Sequence, residues 1–232
     1  MDYVLTLIGA PGRPTLDDST ARKVRDAISA LGGDAGPIEW LAPGEACDIG
    51  FEMIAPDQAE AAARKAIDER QADVAAQPTL DRRKALLVAD MESTVIENEM
   101  LDELAEFLGL RQRIAAITAR AMNGEIDFAD ALRERVALLR DLPAIRLDEA
   151  SRRIRVMPGA ATLVATMKEA GAYCALVSGG FTYFTAMVRL GLGFDIDHAN
   201  RLDVRRGRLA GTVAEPILGR EAKLETLIRL AG

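Results

Sequence analysis

Apolar positions along this chain follow two periods, and each period predicts its own elements. Tyr3 to Ile8 is a short apolar run closed by "GAPGRP", and from Thr15 to Leu31 apolar residues recur at helical spacing until "GGDAG" stops them. Strand-like runs follow from Pro37 to Leu41 and from Ala46 to Ile54, the second partly alternating, with "APGEA" as the turn between them. An Ala-rich helix is expected from Asp57 to about Arg70. Strand, helix, strand, strand, helix predicts a small α+β sandwich over residues 1–76, and polar "AAQPTLDRRK" predicts a linker, placed at 77–84.

From Ala85 the pattern changes. "ALLVAD" is apolar without alternation, as in a parallel strand covered on both faces. Leu101 to Arg140 has helical periodicity broken at "NGEID", which predicts an insert of at least three helical segments. Gly159 to Ala170 is an amphipathic helix with Gly171 placed to end it, and "AYCALV" is a second continuous apolar strand, closed by "SGGF". Helix is expected from Phe181 to Leu192 and from Arg220 to Ala231, with short strands at Ala199 to Val204 and Arg208 to Val213 around "RRG". There is no internal repeat and no low-complexity tract.

A chain of 232 residues with 49% hydrophobic residues can bury two cores. Its formal net charge of -7 argues against nucleic acid or an anionic membrane surface as the main partner, so any bound phosphate needs a local site. Cys47 and Cys174 are far apart in apolar settings, which fits a reducing cytoplasm and no disulfide framework. The start "MDYVLTLIGAPG" lacks the positive charge of a signal peptide, and no apolar run approaches the roughly 20 residues of a membrane span. A soluble cytoplasmic protein is expected.

Ligands of open parallel sheets sit at the carboxyl ends of the strands, and both buried strands here end in polar groups. Asp90 and Glu92 are two apart, so in extended backbone both carboxylates face one small volume. Asp90 could attack phosphorus to give an acyl-phosphate, while Glu92 protonates the leaving alkoxide and then activates water. Two carboxylates would repel a phosphate dianion, so this chemistry calls for a divalent cation, magnesium. The Ser178 hydroxyl and the backbone N–H groups of "SGGF" supply an anion cradle, and Lys223 can pair with the nucleophile or the phosphoryl group. Each feature also has an ordinary reading: a solvated acidic loop, a Ser93 or Thr94 helix cap, a Gly-Gly turn, a surface lysine. His198 is assigned a structural role. The case for a site is the joint occurrence in chain order of strand-acid-x-acid-Ser-Thr, strand-Ser-Gly-Gly and helix-lysine, each at the ligand-binding end.

"DMESTVIENEMLDELA", "MNGEIDFADALRERVALL", "LVSGGFTYFTAMV", "ANRL" and "GREAKLETL" resemble the phosphoserine phosphatase family of the haloacid dehalogenase superfamily, from about Lys84 onward. The resemblance implies an α/β fold: a Rossmann-like parallel sheet over 85–97 and 156–232 with a helical cap over 98–155. It implies a nucleophile at Asp90, an acid/base at Glu92, phosphoryl contacts from Ser178, Gly179 and Lys223, and magnesium held by Asp90 and the main-chain carbonyl of Glu92. It further implies that Glu99 takes the substrate ammonium and Arg135 its carboxylate, while Met122 and Phe128 keep water off the intermediate. Arg135 can do so locally, because it lies at the edge of the stripe Leu132, Val136, Leu139. The implied activity is hydrolysis of O-phosphoserine, the last step of serine biosynthesis. In its order of elements the first unit resembles the ferredoxin-like, amino-acid-binding regulatory modules fused to such enzymes, which implies an amino-acid ligand there; a homodimer is also allowed for.

The resemblance departs in two places. The family has aspartate where this chain has Glu92, and the extra methylene moves the carboxylate by roughly 1.5 Å, an error that can cost about 100-fold in rate. The family's fourth motif, a glycine-flanked aspartate and an asparagine on a following strand, has no counterpart before Gly232. The C-terminal part of the core is therefore expected to be missing, leaving a bare edge beside the Leu86 to Ala89 strand. Low activity is expected, and two alternatives stand beside the phosphatase: a non-catalytic amino-acid-binding or regulatory protein, and a phosphotransferase acting on an acceptor alcohol other than water.

Overall fold

Side chains that alternate across extended backbone organise the first of the two units, Met1–Arg83 and Lys84–Gly232, formed in the computed structural model. The structure describes residues 1–10, 15–67, 72–219 and 221–232. In the first unit β1 (Tyr3–Ile8), α1 (Asp18–Ala30), β2 (Asp34–Ala42), β3 (Ala46–Glu52), α2 (Pro56–Ala66) and β4 (Asp73–Pro78) follow in order. The strands pair antiparallel as β2-β3-β1-β4. Leu5 and Leu7 of β1 and Ile49 and Phe51 of β3 share one buried cluster with Val24 and Ile28 of α1 and Ala59 and Ala63 of α2. α1 begins where Asp17 accepts the Thr20 N–H at 2.7 Å.

β4 corrects the sequence reading, which assigned Gln77 and Pro78 to the linker and no strand before them. "DVAAQP" sends only Val74 and Ala76 toward the core, and an edge strand tolerates Asp73 and Pro78 at its ends. The expected end of the second helix near Arg70, the "PGRP" half of the first turn and the expected helix start at Arg220 lie outside the described residues.

In the second unit β5 (Leu86–Ala89), β6 (Tyr173–Phe181) and β7 (Ile196–Asn200) form a parallel sheet in the order β5-β6-β7. Coverage on both faces holds for β6, buried from Cys174 to Ser178, but not for β5, which is half-buried along its length with β6 as its one partner among the described strands. Between β5 and β6 come α3 (Met100–Glu106), α4 (Arg111–Met122), α5 (Phe128–Ala137), α6 (Ile145–Ser151) and α7 (Ala160–Glu169). The first four make the helical insert, held by Leu104, Ile114, Leu132, Val136 and Leu139. The break at "NGEID" arises because Asp127 caps α5, accepting the Asp130 N–H at 2.8 Å. Both connections of the insert run side by side: the Glu97 N–H donates to the Arg155 carbonyl at 2.8 Å and the Met157 N–H to the Val95 carbonyl at 2.9 Å. Gly171, at φ +80°, ends α7 as expected, with Gly171 N–H on the Lys168 carbonyl and Ala172 N–H on the Met167 carbonyl, both at 2.9 Å.

After β6 come α8 (Thr182–Leu192), β7, the hairpin β8 (Leu202–Arg205) and β9 (Arg208–Val213), and α9 (Glu221–Ala231). The single strand expected at Ala199 to Val204 is thus two: β7 lies in the parallel sheet, and β8 pairs antiparallel with β9. No helix among the described residues is long and apolar enough to cross a membrane. Phe184 of α8 is fully buried, edge-on to Tyr183 at 5.4 Å. Phe184→Ala is expected to lower unfolding stability by about 3–5 kcal/mol through loss of apolar contact and the void left behind, read from the urea midpoint.

Candidate active site

β5 delivers Asp90 into a loop that folds back on itself. The Val95 and Ile96 N–H groups both donate to the Met91 carbonyl at 2.9 Å, and Ser93 adopts a left-handed φ of +52°. This turn sets Asp90 and Glu92 against the ends of the neighbouring elements. Asp90 Oδ1 accepts the Met91 N–H at 2.8 Å, and Oδ2 receives Lys223 Nζ from the first turn of α9 at 2.5 Å. Ser178 lies at the end of β6 and is 2% exposed; its Oγ accepts the Gly180 N–H at 2.9 Å, which leaves the hydroxyl proton free for an incoming acceptor. The insert closes the other side with Glu99, Leu101, Phe128, Leu132 and Arg135, enclosing a pocket of about 310 Å³.

All seven site residues expected from sequence, Asp90, Glu92, Glu99, Arg135, Ser178, Gly179 and Lys223, line this one pocket. Phe128 joins them. Met122 does not: it is 83% exposed at the end of α4, so its expected shielding role is corrected. Its neighbour in the motif differs because α5 turns Phe128 onto the Gly-Gly stretch, where a Cβ on Gly179 would stand 2.9 Å from the ring. Sequence reading passed over Leu101 and Gly219 as pocket residues, whereas Gly180 and Phe181 lie in the "SGGF" stretch expected to offer backbone N–H groups. His198 lies outside the pocket, with Arg229 Nη2 2.6 Å from its Nε2, and burial and then that guanidinium push its pKa down.

The longer acid at position 92 is accommodated by a specific contact. Glu92 Oε1 accepts the Met100 N–H at the start of α3 at 2.8 Å. Burial, then the Glu99 charge, push its pKa up to about 7, with Asp90 adding to the rise and the Met100 N–H and Arg135 opposing it. A carboxyl poised there can give and take a proton near neutrality. Glu99 receives the Ser93 hydroxyl at 2.7 Å. Arg135 is held by its Nε on the Ala131 carbonyl at 3.1 Å and by Nη1 toward Thr118 Oγ1 at 3.4 Å; burial lowers its pKa, and Glu92, Asp102 and Glu99 counter that. The insert side of the pocket therefore offers one anion and one guanidinium, the pair that a zwitterionic amino acid requires.

Gly180 is required by approach rather than by dihedral: a Cβ there would lie 2.7 Å from Glu92 Oε2 and 3.1 Å from Ser178 Oγ. The carboxylate is the far end of a flexible side chain, so Gly180→Ala should fold while displacing Glu92. A displacement of this size is expected to cost about 100-fold in turnover, with a melting temperature close to the parent's.

For a metal, the pocket offers oxygen donors of Asp90 and Glu92, and the described residues contain no cluster of three metal-ligating side chains. Such a sparse, all-oxygen donor set does not suit zinc. It fits a small hard cation that keeps water and takes substrate phosphate oxygens.

The chain is similar to known proteins at the level of family and fold. The model of the haloacid dehalogenase-like hydrolases matches residues 87–231. A phosphoserine phosphatase of Archaeoglobus fulgidus is 42% identical over 146 residues, which are 63% of this chain and 42% of that protein, so the chain spans about two-fifths of that relative's length. Among solved structures, a phospho-aspartyl intermediate analogue of phosphoserine phosphatase superposes with a TM-score of 0.60 at 38% identity, over 65% of this chain and 72% of the other. A probable phosphoserine phosphatase from Vibrio cholerae, unliganded, superposes with a TM-score of 0.75 at 27% identity, over 99% of this chain and 68% of the other.

Proposed function

Since the chain belongs to the haloacid dehalogenase-like hydrolase family, we propose that its pocket hydrolyses O-phosphoserine to serine and phosphate through an acyl-phosphate on Asp90. The observation that carries this reading is the opposition, across one pocket, of Asp90, Ser178 and Lys223 to Glu99 and Arg135. The first three suit a phosphoryl group and the last two suit the ammonium and carboxylate of an amino acid. An Asp90 oxygen attacks phosphorus as the bond from phosphorus to the seryl oxygen breaks, and the leaving alkoxide takes the proton of Glu92. Glu92, now anionic, accepts a proton from water as the water oxygen attacks phosphorus, and the bond to Asp90 breaks to release phosphate. Lys223 offsets charge at Asp90 throughout, and the Ser178 hydroxyl with the Gly179 N–H holds phosphoryl oxygens. Magnesium, held by Asp90 and the Glu92 main-chain carbonyl, would neutralise the phosphate's charge and orient it.

The first unit's element order and its β2-β3-β1-β4 sheet support a ferredoxin-like, amino-acid-binding regulatory module that runs through β4 to Pro78, with core at 85–97 and 156–232 and cap at 98–155 in the second unit. The two free buried thiols, Cys47 and Cys174, fit a cytoplasmic location, and a homodimer is part of the same proposal. One assay tests the central claim: phosphate release from phosphoserine with magnesium and with chelator, repeated with added alcohols. Release that needs magnesium and yields free phosphate supports the phosphatase. Serine binding with no release at any magnesium concentration would replace it with the regulatory protein, and phosphoryl transfer to the alcohol with the phosphotransferase.

A further inference from the structure

One buried amide beside the pocket has no part in the chemistry above. Asn200 ends β7 and is 2% exposed. Its Nδ2 donates to the Gly179 carbonyl at 2.9 Å and to the Leu218 carbonyl at 3.1 Å, while Oδ1 accepts the Leu218 N–H at 2.8 Å. Two carbonyls and one N–H around the amide leave only this orientation of oxygen and nitrogen.

The partners are the two walls of the phosphoryl subsite. The Gly179 carbonyl and the Gly180 N–H belong to one rigid peptide plane, and that N–H is the donor to Ser178 Oγ. Asn200 therefore grips one side of the plane whose other side orients the Ser178 hydroxyl. At its other end it takes both backbone groups of Leu218, followed by Gly219 in the pocket wall and by α9, whose first turn carries Lys223. Residues 201–217 leave the sheet between these points and run through the β8–β9 hairpin, whose Leu209 N–H and carbonyl bond to Leu142 and Asp141 of the insert at 2.9 Å. A single side chain thus spans the base of that excursion and links the serine-glycine corner to the lysine.

We propose that Asn200 is a positioning residue that sets the Ser178–Gly179 wall at its working distance from Lys223, an inference that rests on the reading of this pocket as a phosphoryl site. Asn200→Asp tests it in the full chain. The substitution keeps an acceptor for the Leu218 N–H and the shape of the side chain, but it turns both donated bonds into oxygen facing carbonyl oxygen. Expected are a fall in kcat of about 10- to 100-fold, as for an angstrom-scale misplacement, and a loss of about tenfold in affinity for inorganic phosphate, one charged-site hydrogen bond's worth. The preference for phosphoserine over a phosphomonoester lacking the carboxylate should stay unchanged, because Arg135 is untouched. Should Asn200→Asp not fold, Asn200→Ser is read in the same way. A folded variant with kcat and phosphate affinity within twofold of the parent would overturn the proposal, leaving Asn200 as fold support. Phosphate affinity is measured by calorimetry, independently of turnover. A parent chain that binds phosphate without hydrolysing phosphoserine would sink the phosphatase reading yet still decide the role of Asn200, and a parent that binds none would overturn both.

Discussion

Asp90→Asn is expected to abolish both the trapped phosphoenzyme and steady-state phosphate release, a loss on the order of 10⁴- to 10⁶-fold as for removal of other covalent nucleophiles. The carboxamide keeps the size of the side chain and can still accept the Met91 N–H, so backbone geometry at the end of β5 should survive. What it loses is the anionic oxygen that faces Lys223. That pair is partly exposed, with side chains 33% and 41% accessible, so the variant should melt within a few degrees of the parent. Acid quenching after mixing with labelled phosphoserine, with magnesium present, gives the phosphoenzyme directly. An undiminished signal would place the nucleophile elsewhere and end the mechanism proposed above.

Arg135→Ala should separate substrates rather than silence the protein. A hydrogen bond to a charged group contributes about 1.5–3 kcal/mol, so kcat/KM for phosphoserine should fall about 10- to 150-fold. A phosphomonoester without a carboxylate should lose no more than a fewfold. Arg135 also braces α5 through the Ala131 carbonyl and approaches Thr118 of α4. Equal losses for both substrates would therefore show that its work is to hold the helical insert together and that it does not read the carboxylate.

The residues of the site were legible to different depths. Asp90, Glu92 and Ser178 stand at the carboxyl ends of apolar strands, where local pattern and the general habit of parallel sheets point to the same place. Lys223 carried no local signal and gained meaning only from chain order. Glu99, Arg135 and Phe128 came from resemblance alone; their positions depend on how α3 and α5 pack over the sheet ends, which no periodicity encodes. Met122 failed for the same reason, since the last residue of a helix can face inward or outward with equal local cost. β4 escaped because an edge strand buries one face lightly, and β7 and β8 merged because the chain changes sheets at Arg201 without any glycine or proline to mark it.

Taken alone, the sequence marked most of the elements and supplied the inventory of reactive groups: apolar period selects strand or helix, and residue type decides which groups can attack, donate or carry charge. Only the tertiary structure decided the distances. It placed Lys223 2.5 Å from a carboxylate 133 residues away, used the Met100 N–H to receive the longer acid at Glu92, and gave Asn200 its three partners. The physical reason is that hydrogen bonds, burial and charge coupling are properties of pairs in space, whereas a linear pattern specifies only what each residue brings to its own segment.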